Sequence, residues 1–131
     1  ANGYRLPTEA EWEVAARGGE SHRYSGGDDL DAVGWYDGNS GGTTHRVCTR
    51  ARNGYELCDM SGNVWEWTTD AYAAYPSGRQ RDPLVEAGPN RVVRGGGWNH
   101  YARSERVANR SRITPSFRDF FLGFRLARSA P

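Results

Sequence analysis

The most informative stretch of the chain is Asp59-Met60-Ser61-Gly62-Asn63-Val64-Trp65-Glu66-Trp67, which is followed by Thr68. The alternation over residues 64–68 predicts a β-strand, and its two tryptophans indicate that the strand is buried. Long segments rich in Gly, Asp, Ser, Thr or Pro flank it at residues 19–54 and 71–90. We therefore expect a buried strand inside a fold that is otherwise rich in loops.

Upstream of this strand, residues 6–19 carry the signals of a short helix. Thr8 stands at the N-cap position, Glu11 completes a capping box, and Gly18 supplies a left-handed stop. Three side chains at spacing i, i+3 and i+4 form the face that we expect to be buried: Trp12, Ala15 and Ala16. Three carboxylates near the N-terminal end are interpreted as capping and solvated groups rather than as a metal or acid–base site: Glu9, Glu11 and Glu13.

The segment 19–54 is expected to be an irregular but ordered loop that Trp35 and Tyr36 anchor in the core. Three of its acids offer oxygen ligands for calcium, although solvated carboxylates are the commoner outcome of such a run: Asp28, Asp29 and Asp31. Cys48 and Cys58 lie ten residues apart, a spacing that leaves a disulfide and two free thiols equally open. The chain has no CxxC, so spacing alone does not indicate a zinc site.

Downstream of the central strand, residues 91–94 predict a second short strand that runs into a turn of three glycines, 95–97. Residues 99–122 show neither helical nor strand periodicity. Residues 123–127 predict a final strand with Phe124 and Leu126 on one face.

Composition limits the partners. The 131 residues suit one domain, and a net charge of +1 offers no global attraction for nucleic acid or anionic membrane. The chain has no apolar run near the length of about 18 residues that spans a membrane, and no recognisable signal peptide. We expect neither nucleic-acid binding nor membrane insertion by this chain.

Four motifs together resemble the formylglycine-generating-enzyme (sulfatase-modifying factor) family. They are the helix motif 5–19, the motif 59–67, Arg91-Val92-Val93-Arg94-Gly95-Gly96 and the closing Gly123-Phe124-Arg125. The resemblance implies one α+β domain over residues 1–131 with a C-type-lectin-like fold: much irregular structure, few helices and small antiparallel sheets. The family's domain normally begins with a further strand, so we expect an N-terminal segment or a partner that completes the sheet.

Enzymes of this family bind copper through two cysteines just before the Gly-Phe-Arg strand, but residues 95–127 contain no cysteine. Copper(I) needs soft thiolate ligands, so the resemblance without those cysteines predicts a non-enzymatic domain with no catalytic cofactor. An oxidase of the formylglycine-generating type remains an alternative. A sugar-binding lectin is another, although the chain has neither a Glu-Pro-Asn nor a Gln-Pro-Asp loop.

Residues 98–122 resemble the variable region of the proteins diversified by diversity-generating retroelements. A phage particle and a cell surface are both compatible with this resemblance, and the chain carries no signal that chooses between them. The positions that match the constant part of that region are here called the frame: Trp98, Asn99, Ala102, Arg103, Ala108, Asn109, Arg110, Arg112, Pro115, Arg118 and Gly123. Between them lie eleven residues that an error-prone copy of an Asn codon can encode, here called the variable positions: His100, Tyr101, Ser104, Ser111, Ile113, Ser116, Phe117, Asp119, Phe120, Phe121 and Leu122. Glu105 is not reachable from an Asn codon and stays outside this set.

The variable positions are strongly apolar for one loop region. Exposed aromatic groups beside His, Ser and Asp are typical of a binding surface, so we expect a protein ligand there. Five arginines are expected to donate to backbone carbonyls of the loop: Arg103, Arg110, Arg112, Arg118 and Arg125. Three tryptophans are expected to pack beneath it: Trp65, Trp67 and Trp98.

The segment 59–66 also resembles a structural calcium loop of the family. The resemblance implies four oxygen ligands: Asp59, Gly62, Val64 and Glu66. The alternative interpretation is that Glu66 pairs with an arginine and Asp59 caps a turn.

Overall fold

Regular secondary structure covers a minority of the chain in the computed structural model, which describes residues 3–131. The helical elements are α1 (Glu9–Arg17), α2 (Leu30–Val33) and a 3₁₀ turn, Ala102–Glu105. The strands are β1 (Tyr4–Arg5), β2 (Trp65–Ala71), β3 (Arg91–Arg94), β4 (Arg110–Ile113), β5 (Leu122–Gly123) and β6 (Ala127–Arg128). This α+β content confirms the predicted fold class.

Helix α1 begins and ends where local chemistry predicted. The Thr8 side chain accepts from the backbone N–H of Glu11, and the Glu11 side chain accepts from the backbone N–H of Thr8. Gly18 ends the helix in the left-handed region at φ 61°. Trp12 and Ala16 are buried and Ala15 is half-buried, which confirms the predicted inner face.

The main sheet has the strand order β4-β3-β2-β5. The β2–β3 and β3–β4 pairs are antiparallel, but β5 runs parallel to β2, with Trp65 opposite Leu122 and Glu66 opposite Gly123. The expectation of purely antiparallel sheets was therefore wrong for this pair. The predicted last strand is also divided: β5 joins the main sheet, and β6 pairs with β1.

The core consists of two small clusters. Trp12, Ala16, Met60 and Val107 form the first, and Tyr24, Leu30 and Val33 form the second. The second cluster anchors the 19–54 segment, and Tyr36, half-buried, packs against it as predicted, whereas the prediction was wrong for Trp35. A helix of only four residues, α2, was not recognised in a polar stretch, and it is this helix that turns Leu30 and Val33 inward.

Trp35 is instead half-buried and packs against polar groups. Its ring stacks on His45 with 3.7 Å between centroids, and the Arg50 guanidinium lies 3.6 Å from the ring centroid. These contacts stabilise the loop from its surface side rather than from the core.

Candidate functional site

The site is built on a network of buried charges that sequence analysis did not foresee. The Arg94 side chain is fully buried and donates to the carbonyl of Asn109 at 3.1 Å. It also contacts the carboxylates of Glu9, at 3.5 Å, and Glu13. Arg110 donates to both oxygens of Glu9, at 2.5 and 2.9 Å. Glu9 is 6% exposed, so its interpretation as a solvated group was wrong.

A second buried ion pair ties the end of the chain to β2. Arg125 donates to both carboxylate oxygens of Glu66, at 2.6 and 2.7 Å, and Trp12 Nε1 donates to the same carboxylate at 2.8 Å. Burial alone lowers the Arg125 pKa, but the hydrogen bond and charge of Glu66 outweigh it, and the net pKa is raised. Arg125 also donates to the carbonyls of Cys58 and Asp59.

Two of the five arginines predicted to donate to backbone carbonyls do so. Arg125 is one, and Arg118 donates to the carbonyls of Pro115 and Phe117 at 3.2 and 3.1 Å. Arg110 and Arg112 have different neighbours because their side chains reach an acid and a ring across the fold, and Arg103 does not make the predicted contact. Arg110 pairs with Glu9, Arg112 lies 5.1 Å from the ring centroid of Tyr72, and Arg103 is exposed.

None of the eleven variable positions is buried. The side chains with the largest apolar area at the surface are Phe120, 89% exposed, Tyr101, 68% exposed, and Phe117, 41% exposed. Exposure does not separate these positions from the frame, however, because six frame residues are exposed as well: Asn99, Arg103, Ala108, Arg112, Pro115 and Arg118. The buried support under the loop lies outside the frame, in residues such as Arg94 and Glu105.

Three of the aromatic members of the variable set, His100, Phe117 and Phe121, lie together near the start of β2. The His100 ring lies 5.3 Å from that of Phe121, which in turn lies 6.2 Å from that of Phe117. Trp65, buried below, donates from Nε1 to His100 Nδ1 at 3.2 Å. Burial lowers the pKa of His100, in agreement with a neutral ring whose Nδ1 accepts. Trp98 Nε1 donates to the Phe120 carbonyl at 3.2 Å.

The remaining variable positions are distributed more widely. Ser111 and Ile113 lie on β4, at the opposite edge of the sheet from Leu122 on β5. Ser104 lies in the 3₁₀ turn, where its backbone N–H donates to the carbonyl of Tyr101. The structure therefore brings His100, Phe117 and Phe121 together, whereas Ser111 and Ile113 on β4 lie at the other edge of the sheet.

Glu105 fastens the 3₁₀ turn to the glycine turn. Its carboxylate is buried, accepts from the backbone N–H of Gly97 at 3.1 Å and packs against Gly96, where any Cβ would lie 2.4 Å from it. Gly96 also has a φ of +74°, so both space and backbone conformation require glycine. Burial raises the pKa of Glu105 to about 10. Sequence analysis missed this role, although the codon argument had already set Glu105 apart.

Two of the four predicted calcium ligands, Glu66 and Asp59, accept hydrogen bonds from other groups. Both oxygens of Glu66 are engaged by Arg125, and Asp59 Oδ2 accepts from the backbone N–H of Cys48 at 2.6 Å. A cation on Glu66 would have to displace a guanidinium, so the geometry fits the ion-pair interpretation better than calcium binding. The calcium site stays a prediction.

The three acids of the 19–54 loop have separate partners as well: Asp28 accepts from Arg23 N, Asp29 caps α2, and Asp31 accepts from Tyr36.

The two cysteines are joined. Cys48 and Cys58 form a disulfide with 5.2 Å between their Cα atoms, so the alternative of two free thiols does not hold in this structure.

A cavity of about 510 Å³ that no sequence motif indicated lies between α1 and the 71–90 loop. Its lining includes Val14, Tyr75 and Arg110, and most of it is apolar. Among residues 3–131, no helix is long and apolar enough to cross a membrane.

A family model and curated proteins are similar to nearly the whole chain. The model of the family "Sulfatase-modifying factor enzyme 1-like domain" matches residues 1–130. The formylglycine-generating enzyme of Streptomyces coelicolor is 39% identical over 98% of this chain and 48% of its own length. The serine/threonine-protein kinase pkn1 of Chlamydia caviae is 39% identical over 96% of this chain and 21% of its own length.

Two solved structures have a fold similar to that of this chain. Treponema denticola variable protein 1 superposes with a TM-score of 0.91 and 43% identity, over 95% of this chain and 47% of that protein. PvdO from Pseudomonas aeruginosa superposes with a TM-score of 0.85 and 28% identity, over 97% of this chain and 53% of that protein. The chain thus spans about half the length of the curated formylglycine-generating enzymes and of these solved structures.

Proposed function

The chain belongs to the sulfatase-modifying factor enzyme 1-like domain family, and from this premise we propose that it is a non-enzymatic binding domain, the variable protein of a diversity-generating retroelement. Residues 98–122 would carry its specificity, for a protein ligand. The observation that carries the proposal is the exposure of large aromatic side chains at the variable positions, with Phe120 89% exposed and Tyr101 68% exposed. The likeness to a protein named variable protein 1 supports the same assignment.

The chemistry of the surface fits protein recognition. Phe120 and Tyr101 expose large rings whose burial in a complex would remove apolar area from water, the dominant favourable term in association. The backbone around Phe120 is held from below, because the Phe120 carbonyl accepts from Trp98 Nε1 and the carbonyl of the neighbouring Phe121 accepts from the backbone N–H of Trp65 at 2.7 Å. Aromatic anchors on an ordered backbone lose little conformational entropy on binding.

The oxidase alternative is less well supported. Both cysteines of the chain are used in one disulfide, so the oxidised domain has no thiolate with which to bind copper. Because the chain is similar to proteins named formylglycine-generating enzyme, oxidase activity should be tested directly. Purified protein would be incubated with copper and a cysteine-containing sulfatase peptide, and mass spectrometry would follow the loss of cysteine. We expect no turnover, and copper-dependent aldehyde formation would establish an enzyme instead.

Binding is tested with two displayed libraries. In the first, the eleven variable positions carry the residues that mutated Asn codons encode; in the control, exposed residues of the 71–90 loop are diversified by the same scheme. Both libraries are selected against one purified test protein, and folding is followed by protease resistance. We expect mostly folded variants in both libraries, but binders only from the first. Loss of folding in the first library, or equal recovery of binders from the control, would contradict the proposal.

The neighbouring DNA offers an independent test. A retroelement predicts a reverse-transcriptase gene and a near-copy of codons 98–125 with Asn codons at the variable positions. Absence of both from the locus would remove the retroelement from the proposal while leaving the binding surface testable by display.

A further inference from the structure

The cavity between α1 and the 71–90 loop lies outside the proposed binding surface, because none of the eleven variable positions lines it. Its volume of about 510 Å³ falls within the range of about 300–1,000 Å³ that is typical of small-molecule sites. Val14 and Tyr75, two large apolar side chains of the lining, are each 61% exposed. The structure therefore leaves apolar area here that a ligand would remove from water.

The walls of the cavity are joined by a buried carboxylate. Asp70 lines the cavity and accepts from the backbone N–H of Glu9 at 2.7 Å through Oδ1. Its Oδ2 accepts from the backbone N–H of Val85 at 3.1 Å. Ala71 N also donates to the Val85 carbonyl at 2.8 Å. These hydrogen bonds hold the first turn of α1 and the 71–90 loop together, so the cavity is a preformed feature of the fold.

The charged groups around the cavity already balance one another. Glu9 accepts from Nε and Nη2 of Arg110. Glu13 accepts from Nε and Nη2 of Arg17. Arg94, which is fully buried, contacts both glutamates. A charged ligand would lose its hydration without gaining an unpaired counter-ion, so the site favours an uncharged ligand.

The same ion pairs leave hydrogen-bond donors unused. Among residues 3–131, Nη1 of Arg17 and Nη1 of Arg110 have no hydrogen-bond partner, and both side chains line the cavity. The Arg110 guanidinium also lies 4.0 Å from the ring centroid of Tyr75, which places a donor group beside the apolar wall. Because a guanidinium can donate but cannot accept, the polar part of a ligand here has to be an acceptor.

We propose that this cavity binds a small, uncharged and mostly apolar molecule with one hydrogen-bond acceptor, such as an aryl-alkyl ketone or amide. The apolar part packs on Val14 and Tyr75, and the acceptor receives a hydrogen bond from Arg17 or Arg110. Both ion pairs with the glutamates stay intact, because the ligand engages only the N–H groups that they leave unused. Sequence analysis did not indicate the site, since its lining comes from three separate segments of the chain.

The test is a titration of the isotope-labelled chain, followed by heteronuclear NMR, with three probes that share a phenylalkyl skeleton. Benzylacetone is the uncharged ketone, hydrocinnamate is its anionic analogue and phenylpropylamine is its cationic analogue. We expect saturable chemical-shift changes at backbone amides of residues 13–17 and 73–85. The Kd of benzylacetone should be at least about tenfold lower than that of either charged probe, which corresponds to about 1.4 kcal/mol. No saturable binding, equal binding of a charged probe, or shift changes centred on residues 98–122 would overturn the proposal.

Two matched substitutions check the location of the bound probe. Val14 is exposed on α1, so Val14→Trp should fill part of the cavity without disturbing the core, and it should weaken benzylacetone binding by at least about tenfold. Val47→Trp changes a similarly exposed valine outside the lining and should leave the Kd unchanged. A folded Val14→Trp variant that binds as tightly as the unchanged chain would refute the assignment. If that variant does not fold, the shift changes of the unchanged chain decide.

Discussion

Replacing Phe120 by Ser should leave the stability of the domain almost unchanged. A phenylalanine buries about 150–250 Å² when fully enclosed. With 89% of Phe120 exposed, only about a tenth of that area, roughly 20 Å², is removed from water. At about 25 cal/mol per Å², the expected loss is about 0.5 kcal/mol, an upper value because unfolded chains are partly compact.

The matched control removes a buried support of the same region. Arg94→Met removes the buried cation that Glu9 and Glu13 share, although Glu9 keeps Arg110 and Glu13 keeps Arg17, so we expect the loss of a charged hydrogen bond, about 1.5–3 kcal/mol. Urea unfolding followed by tryptophan fluorescence, with circular dichroism as a second probe, gives both free energies. A loss above about 2 kcal/mol for Phe120→Ser would mean that Phe120 packs in the core and would refute the binding surface. A nearly neutral Arg94→Met would refute the view that buried ion pairs support it.

Four further predictions concern the supporting structure. Thr8→Ala removes the capping box of α1 and should cost about 1 kcal/mol in urea unfolding. Glu105 has a folded-state pKa of about 10 against an ordinary value of 4.5, so the folded protein binds more protons than the unfolded chain between these values. The resulting stabilisation is complete below pH 4.5, the ordinary pKa, and is lost as the pH rises towards the folded-state pKa of about 10. The urea midpoint of the unchanged protein should therefore fall as the pH is raised, and that of Glu105→Gln should fall less steeply. The double variant Cys48→Ser/Cys58→Ser opens a short loop and should lose about 2–3 kcal/mol, seen as a lower melting temperature. Because Arg125 occupies the carboxylate of the predicted calcium loop, adding Ca²⁺ or a chelator should leave the melting temperature of the oxidised protein unchanged; a rise with Ca²⁺ would restore the calcium interpretation.

Some errors of prediction have a common physical origin. Trp35 was expected in the core because it is large and apolar, yet it lies half-buried between His45 and Arg50. Glu9 was expected in solvent because most carboxylates are, yet it is buried against Arg110, which is 101 residues away in sequence. Arg110 is distant from Glu9 in the chain, and His45 and Arg50 reach Trp35 through an irregular loop, so neither environment follows from a local periodic pattern.

The sequence by itself determined the elements whose causes are local. The capping box and stop of α1 lie within eleven residues, and β2 and β3 follow from short alternating or β-branched runs, so each was predictable. The family motifs added the fold class, because motifs in a fixed order imply a shared architecture.

Only the tertiary structure decided which charges are buried together and which rings reach the surface. The pairs Arg94–Glu13 and Arg125–Glu66 join residues 81 and 59 positions apart, and the parallel pairing of β5 with β2 has no signal in either strand. Burial and ion pairing depend on distances across the folded chain. A sequence pattern depends on residues that are neighbours along the backbone. It therefore predicted the variable positions but not the buried contacts that support them.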